Sequence, residues 1–277
     1  MRYLKPRTVA EAVDALGQGA TPVAGGTVVV PAIAQGQRAA MALVDLRDIA
    51  ALHTLGGAAS ELRIGAMVTL ARLAGAAAET GGSDRALRQA ALAIANPNVR
   101  NAATVGGNVA LALATCDLHP PLLVLEATIA VSEAGGAERD LPSSILSAAG
   151  VPPGALIRHV GVPREAGRRS AFVKFAWRAA SGITVVSVAA SLRIDGGQIG
   201  SPRLAAAGLR GRATRLPRAE EALSGQRCSD ADALFEQAAE IGAAELPFEI
   251  DLAPAESYRR RLVGEGIRRV LAETMRA

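Results

Sequence analysis

The chain has 277 residues, 50% hydrophobic and 20% charged, enough apolar material for two or three small lobes with cores of their own. Its pI near 9.7 goes with a formal charge of only +4 and an aromatic content of 3%, which leaves no stacking platform for single-stranded nucleic acid. The longest apolar stretches, Val28 to Ala34 and Val109 to Ala114, are far too short to cross a bilayer, so no membrane span is expected.

Met1-Arg2-Tyr3-Leu4-Lys5-Pro6 lacks the apolar core of a signal peptide, which points to the cytoplasm. Thr8-Val9-Ala10-Glu11 is a capping box, and Val9, Ala12, Val13 and Leu16 fall on one helical face that Gly17 closes. Pro22-Val23-Ala24 reads as a short strand, Ala24-Gly25-Gly26-Thr27 as a turn, Val28 to Gln35 as a helix and Ala42 to Leu46 as a strand. Residues 1–58 therefore form a small α/β lobe.

A second lobe, residues 59–167, opens with a strand at Leu62-Arg63-Ile64-Gly65. A helix from about Ser83 places Leu87, Ala90, Ala91 and Ile94 on one face and stops at Asn96-Pro97. A second diglycine turn, Thr104-Val105-Gly106-Gly107-Asn108, is followed by strands at Thr128 to Ser132, Glu138 to Leu141 and Leu156 to Val162, giving an α+β lobe with an antiparallel sheet. In residues 168–277, Phe172 to Trp177, Thr184 to Ile194 and Arg203 to Leu209 read as three strands, with Asp195-Gly196-Gly197 as a hairpin turn. Helices then cover about Ala219 to Leu223, Asp230 to Ile241 and Ala255 to Met275. Ala-rich stretches such as Ala74 to Ala78 carry little information.

The two diglycine turns are the chemical signal. Each lets bare backbone amides approach an anion, and two from different lobes can clasp a pyrophosphate; the lesser alternative for either alone is a plain tight turn. No G-x-G-x-x-G follows a strand and no G-x-x-x-x-G-K-[ST] occurs, so the common phosphate motifs do not account for them. Cys116 and Cys228 are too few for a disulfide framework or an iron–sulfur cluster, and His53, His119 and His159 lack zinc-ligand spacing, so no metal is expected. From the residues alone, Asp117 reads as a helix cap, Lys174 as a solvated charge, Cys116 as small packing and His119 as a loop residue.

The order of motifs adds a resemblance. Tyr3 with Lys5-Pro6, Ala24-Gly25-Gly26-Thr27, Val44-Asp45-Leu46, Ile64-Gly65-Ala66 with Thr69, and Val99 to Asn108 follow one another. Asp117-Leu118, Val162-Pro163, Phe172 with Lys174 and Arg178, Ser187-Val188-Ala189, Asp251 and Tyr258-Arg259-Arg260 continue the series. In this order the chain resembles, nearly end to end, the flavin-binding medium subunit of molybdenum hydroxylases, the group of carbon monoxide dehydrogenase and xanthine dehydrogenase.

That resemblance implies an α+β fold: a two-lobed FAD-binding domain of the PCMH type, not Rossmann, then a C-terminal lobe of a three-stranded antiparallel sheet with three helices. It implies that Val23, Ala24, Gly25, Gly26 and Thr27 hold one side of the FAD pyrophosphate and Thr104, Gly106, Gly107 and Asn108 the other. Asp117 would accept from a sugar hydroxyl, Ile94 would lie against the flavin ring, and Lys174 would be the cation beside it. No catalytic side chain is implied: FAD would relay electrons from an iron–sulfur small subunit, fed by a molybdopterin large subunit, to NAD, quinone or oxygen.

Departures from the family pattern are Val28 for an acidic residue, the apolar Leu111-Ala112-Leu113-Ala114 for a polar run, and no acidic residue at Ala179-Ala180-Ser181-Gly182. Trp177, the single tryptophan, fits either a flavin cover or a core. Two alternatives follow: a stand-alone FAD-dependent oxidoreductase acting on a small molecule, and a structural subunit that has lost FAD.

Overall fold

The computed structural model describes residues 1–76, 82–111, 113, 115–178, 182–208, 212–246 and 255–276. Ala77, Ala78, Ala112, Ala114, Ala179 to Ser181, Leu209 and Asp251, which enter the readings above, lie outside the described residues.

The chain opens with strand β1 (Arg2–Leu4), helix α1 (Val9–Gly17), strand β2 (Thr21–Val23), helix α2 (Val29–Ala34) and strand β3 (Ala42–Asp45). Thr8 caps α1 by accepting from the Glu11 amide at 3.2 Å, and Glu11 Oε2 accepts from the Arg7 amide, so the capping residues hold the helix start as the sequence suggests. The three strands form a parallel sheet in the order β1-β3-β2, and α1 buries Ala12, Val13 and Leu16 in the core that includes Val44, Leu46 and Leu52. The first diglycine turn leaves from the carboxyl end of β2, the end where open α/β sheets take their ligands.

Strands β4 (Leu55–Gly56) and β5 (Glu61–Gly65) begin a second sheet, and five helices follow: α3 (Leu70–Ala76), α4 (Arg85–Ala93), α5 (Pro97–Ala102), α6 (Val105–Ala110) and α7 (His119–Val124). Strands β6 (Thr128–Ser132), β7 (Glu138–Pro142) and β8 (Leu156–Pro163) complete an antiparallel sheet ordered β4-β5-β8-β6-β7. Four of these helices, α3, α5, α6 and α7, were not foreseen. They run only six or seven residues, too short for a clear period, and tertiary packing holds them.

Strands β9 (Arg168–Ala176), β10 (Thr184–Asp195), β11 (Gln198–Ala207) and β12 (Thr214–Arg215) form the third sheet, ordered β12-β11-β10-β9, with helices α8 (Pro217–Leu223), α9 (Ala231–Glu245) and α10 (Glu256–Arg276) after it. The sheet has four strands where three were expected, because β12 is a two-residue pairing of Ala205 and Ala206 with Arg215 and Thr214, too short to leave a pattern. Asp195 pairs with Gln198 across Gly196-Gly197, whose φ values of 59° and 79° make the two-residue hairpin foreseen there. Both faces of this sheet are covered. Phe172, Ala189 and Ala205 join the core of the second sheet, while Ala171, Val188, Ala190 and Ala206 pack under α8–α10, which is why β10 is buried without a break from Thr184 to Leu192. No helix among the described residues is long and apolar enough to cross a membrane.

Candidate functional site

The first turn is fixed from below. Val23 lies opposite Asp45, and its carbonyl accepts from the Leu46 amide at 3.0 Å. The Asp45 carboxylate takes the Tyr3 hydroxyl at 2.6 Å and the Arg47 guanidinium at 2.7 Å, and the Arg47 bonds hold its pKa down to about 2. This charged clamp ties the ends of β1 and β3 beside the point where β2 turns. Ala24, Gly25, Gly26 and Thr27 are half-buried, and Gly26 takes φ 72°, a left-handed backbone that only glycine adopts without strain. Among the described residues, the amides of Gly25, Gly26 and Thr27 donate to no acceptor.

The second turn is a helix start. Thr104 is the N-cap of α6, and its Oγ1 accepts from the Gly107 amide at 3.1 Å. The Val105 and Gly106 amides go to the carbonyls of Val68 and Ala66, each at 2.9 Å, and the Asn108 amide goes to the Thr104 carbonyl. The expectation of open amides on this side therefore gives way to a helix whose leading donors are already paired. What it offers instead is the Thr104 hydroxyl proton, freed because the oxygen is used as acceptor, and Asn108 Oδ1, which is buried without a partner.

The two turns meet. A Cβ built on Gly25 would overlap the Ala102 carbonyl oxygen and stand 2.7 Å from its carbon and 2.9 Å from Ala103 Cα. One built on Gly107 would stand 4.0 Å from Ala24 Cβ, so the third residue of α6 faces the first turn. Gly106 is packed on the other side, its added Cβ 2.6 Å from Ala66 Cβ. Two of the four glycines thus allow backbones to touch, one allows a left-handed turn, and an added Cβ at Gly107 would meet only Thr104 Oγ1 and Ala24 Cβ within 4 Å.

Beyond the second turn lies a buried charge pair. Lys174 Nζ donates to Asp117 Oδ2 at 2.8 Å and to the Ala93 carbonyl at 3.1 Å, and the side chains are only 8% and 3% exposed. Lys174 is therefore not the solvated charge that its residue type alone suggests, and Asp117 is not a helix cap. Strand alternation explains the direction: Lys174 shares a face of β9 with Phe172, toward the second sheet, while Val173 and Phe175 point to α10. The Thr184 hydroxyl donates to Asp117 Oδ1 at 2.8 Å. Burial pushes the Asp117 carboxyl above the usual carboxylate range, against the pull of Lys174 and Thr184.

Ile94 follows the Ala93 carbonyl directly and is half-buried against the second core. Ala95 has φ 45°, a strained value for alanine, and Arg100 Nη1 holds that bend by donating to the Ile94 and Ala95 carbonyls at 3.0 and 2.9 Å. Sequence reasoning missed Thr184, Arg100 and the Ala93 carbonyl. The first faces Asp117 across an irregular register between Thr184 and Val186, and the others act through backbone oxygens, so residue type signalled none of them.

His119 and Cys116 sit behind this wall. His119 Nε2 lies 3.2 Å from the Asn108 carbonyl, and burial drives its pKa down to about 4. The Cys116 thiol is buried and pushed up to about 11, a packing residue with little thiolate. Trp177 is 55% exposed and lines two cavities, of about 510 and 330 Å³, the smaller shared with Lys174 and Tyr258; it belongs to no core. Among the described residues no group of His, Cys, Asp and Glu gathers into a metal site.

A glycine turn at the end of a parallel strand abuts a glycine-rich helix start, and a buried Lys174–Asp117 pair joins the third sheet to the second core, an arrangement without a Rossmann fingerprint. The family described as the FAD binding domain in molybdopterin dehydrogenase matches residues 1–165, and the CO dehydrogenase flavoprotein C-terminal domain matches residues 171–274. The chain belongs to this family of FAD-binding flavoprotein subunits. It is 28% identical over 279 residues to the nicotine 6-hydroxylase medium subunit of Paenarthrobacter nicotinovorans, covering 99% of this chain and 96% of that protein. It is 30% identical over 224 residues to the xanthine dehydrogenase FAD-binding subunit of Escherichia coli O157:H7, covering 73% and 72%. A solved carbon monoxide dehydrogenase from Hydrogenophaga pseudoflava, lacking the Mo-pyranopterin moiety of its cofactor, superposes with a TM-score of 0.91 at 25% identity, over 99% of this chain and 97% of that one.

Proposed function

We propose that this chain is the electron-relay subunit of a cytoplasmic molybdenum hydroxylase complex, with lobes at 1–58, 59–167 and 168–277. In it, an iron–sulfur small subunit serves as donor and a molybdopterin large subunit as the source of electrons. NAD, a quinone or oxygen takes them away. The observation that carries the reading is the meeting of the two diglycine turns, Gly25 against Ala102 and Gly107 facing Ala24.

The residues present fit FAD. Unpaired amides at Gly25, Gly26 and Thr27 suit phosphate oxygens, the Thr104 hydroxyl adds a donor on the facing wall, and the orphan Asn108 Oδ1 can accept from a hydroxyl or N–H of the cofactor. Val23 and Ala24 set the height of the first turn, while Gly106 seats α6 on Ala66. Ile94 gives the ring an apolar surface. Asp117, with lone pairs left on both oxygens, remains able to accept from a sugar hydroxyl. Lys174 places a positive charge at the ring end, which favours an anionic reduced cofactor. When bound, FAD supplies the redox chemistry, and the protein supplies binding, orientation and charge.

The chain holds two free cysteines, so an iron–sulfur partner is needed to deliver electrons. Purified protein incubated with FAD is expected to retain it and to be reduced by a reduced iron–sulfur partner, not by small molecules alone. Failure to take up FAD overturns the reading. Reduction by a small substrate without any partner supports the stand-alone oxidoreductase instead.

A further inference from the structure

Lys174 is held at two points, by Asp117 and by the carbonyl of Ala93 at the end of α4, where a helix presents its negative pole. A cation in that state does not act on a third group with its full charge. What a neighbour feels is the difference between the ammonium and the carboxylate 2.8 Å away, both removed from water. The balance depends on where the carboxylate stands. Asp117 has one oxygen on Lys174 and the other on Thr184, itself 4% exposed. Thr184 lies where β9 and β10 lose register, so its hydroxyl reaches Asp117 from the third sheet beside Lys174.

We propose that Asp117 is the counter-charge that sets how much of the Lys174 charge reaches bound FAD, and that Thr184 is the positioning residue that keeps it there. This rests on the reading that the flavin ring lies beside Ile94 and Lys174. It goes beyond that reading in giving Asp117 an electrostatic role opposite in sign to that of lysine, and in assigning Thr184.

The opposition in sign separates this role from plain structural support. Lys174→Met leaves a carboxylate alone beside the ring and disfavours the anionic reduced form. Asp117→Asn keeps the shape and a hydrogen-bond acceptor for Lys174, yet removes the negative charge, and so favours the reduced form. Arg100, fixed on the carbonyls of Ile94 and Ala95, is unchanged in both. Disruption of the fold has no such sign: two damaged sites would shift the same way or lose flavin together.

The test is a spectroelectrochemical titration of FAD bound to the full chain at pH 7, with flavin content measured for each variant. Asp117→Asn is expected to shift the oxidised-to-reduced equilibrium at least about tenfold toward reduced flavin, about 30 mV for a two-electron couple, and Lys174→Met to shift it the other way. Thr184→Val is expected to move it in the direction of Asp117→Asn and Thr184→Ser to restore it, and this pair decides the matter if Asp117→Asn fails to fold. Bound flavin with an unchanged potential in Asp117→Asn, or shifts of one sign in both charge variants, overturns the proposal and leaves the cofactor reading standing. Wild-type protein that binds no FAD overturns both.

Discussion

Replacing Gly107 with alanine separates the two roles a glycine can have in the second turn. Gly107 is the third residue of α6 with no left-handed backbone, so alanine suits its conformation and by propensity adds up to about 1 kcal/mol of stability. The added methyl meets Thr104 Oγ1 at 3.0 Å, a contact relieved by a few tenths of an ångström, and Ala24 Cβ at 4.0 Å, an ordinary separation. The fold therefore takes the change, and thermal unfolding stays in place or rises by about 2–4 °C. The methyl nevertheless stands in the gap facing the first turn. If phosphate occupies that gap, one charge-assisted contact is lost, about 1.5–3 kcal/mol, or about a ten- to hundredfold rise in Kd.

Gly25→Ala is the contrasting case. Carbon atoms pack at about 3.5–4.0 Å, whereas this Cβ would stand 2.7 Å from the Ala102 carbonyl carbon and overlap its oxygen. The junction between the turns must open by about 1 Å, a strain of about 1–3 kcal/mol, so stability and flavin fall together. Fluorescence titration of the apoprotein with FAD, beside thermal unfolding, checks both. Wild-type affinity in Gly107→Ala, or flavin loss only in step with lost stability, refutes the clasp.

Gly26→Ala is expected to cost about 1–2 kcal/mol in chemical denaturation, because its φ of 72° is unfavourable for an L-residue and its Cβ would press Val30 at 3.2 Å; an unchanged midpoint would deny that conformation. His119 is kept neutral, with a folded pKa of about 4 against about 6.5 unfolded, so between those values the unfolded state binds more protons. Its contribution, roughly 3 kcal/mol, is present above pH 6.5 and is lost as pH falls toward 4. His119→Asn should therefore show a flatter loss of stability across that window than wild type, and equal slopes would disprove it. Of the two thiols, the half-buried Cys228 is expected to react with a thiol reagent in the native protein and the buried Cys116 only on unfolding, as mass spectrometry of the labelled chain would show.

Much of the scaffold was legible because its signals are local. The Thr8 capping box, the Gly196-Gly197 hairpin and the valine- and alanine-rich strand β10 each follow from a few neighbouring residues. The second turn was legible as glycine but not as a helix start, since Thr104 is followed at the capping distance by Gly107 and not by an acidic residue. Helix α7 was hidden by Pro120-Pro121, which suit a first helical turn as well as a loop. The charge pair is the opposite case. Asp117 and Lys174 are 57 residues apart, and only the docking of the third sheet on the second core shows that they are partners.

Register makes that docking and the chemistry one constraint. The alternation of Phe172 and Lys174 against Val173 and Phe175 is plain in the sequence, but not which set faces the second sheet. Phe175 marks the other face: its ring lies 3.3 Å from where a Cβ on Gly266 would stand and under the Arg269 guanidinium, where α10 approaches the sheet closely. A slip of β9 by one residue would carry Lys174 to that helix face and leave Asp117 buried with no cation, at a cost of about 3–5 kcal/mol for the orphaned charge. The packing that stabilises the third sheet is therefore also what aims its single buried lysine at the site.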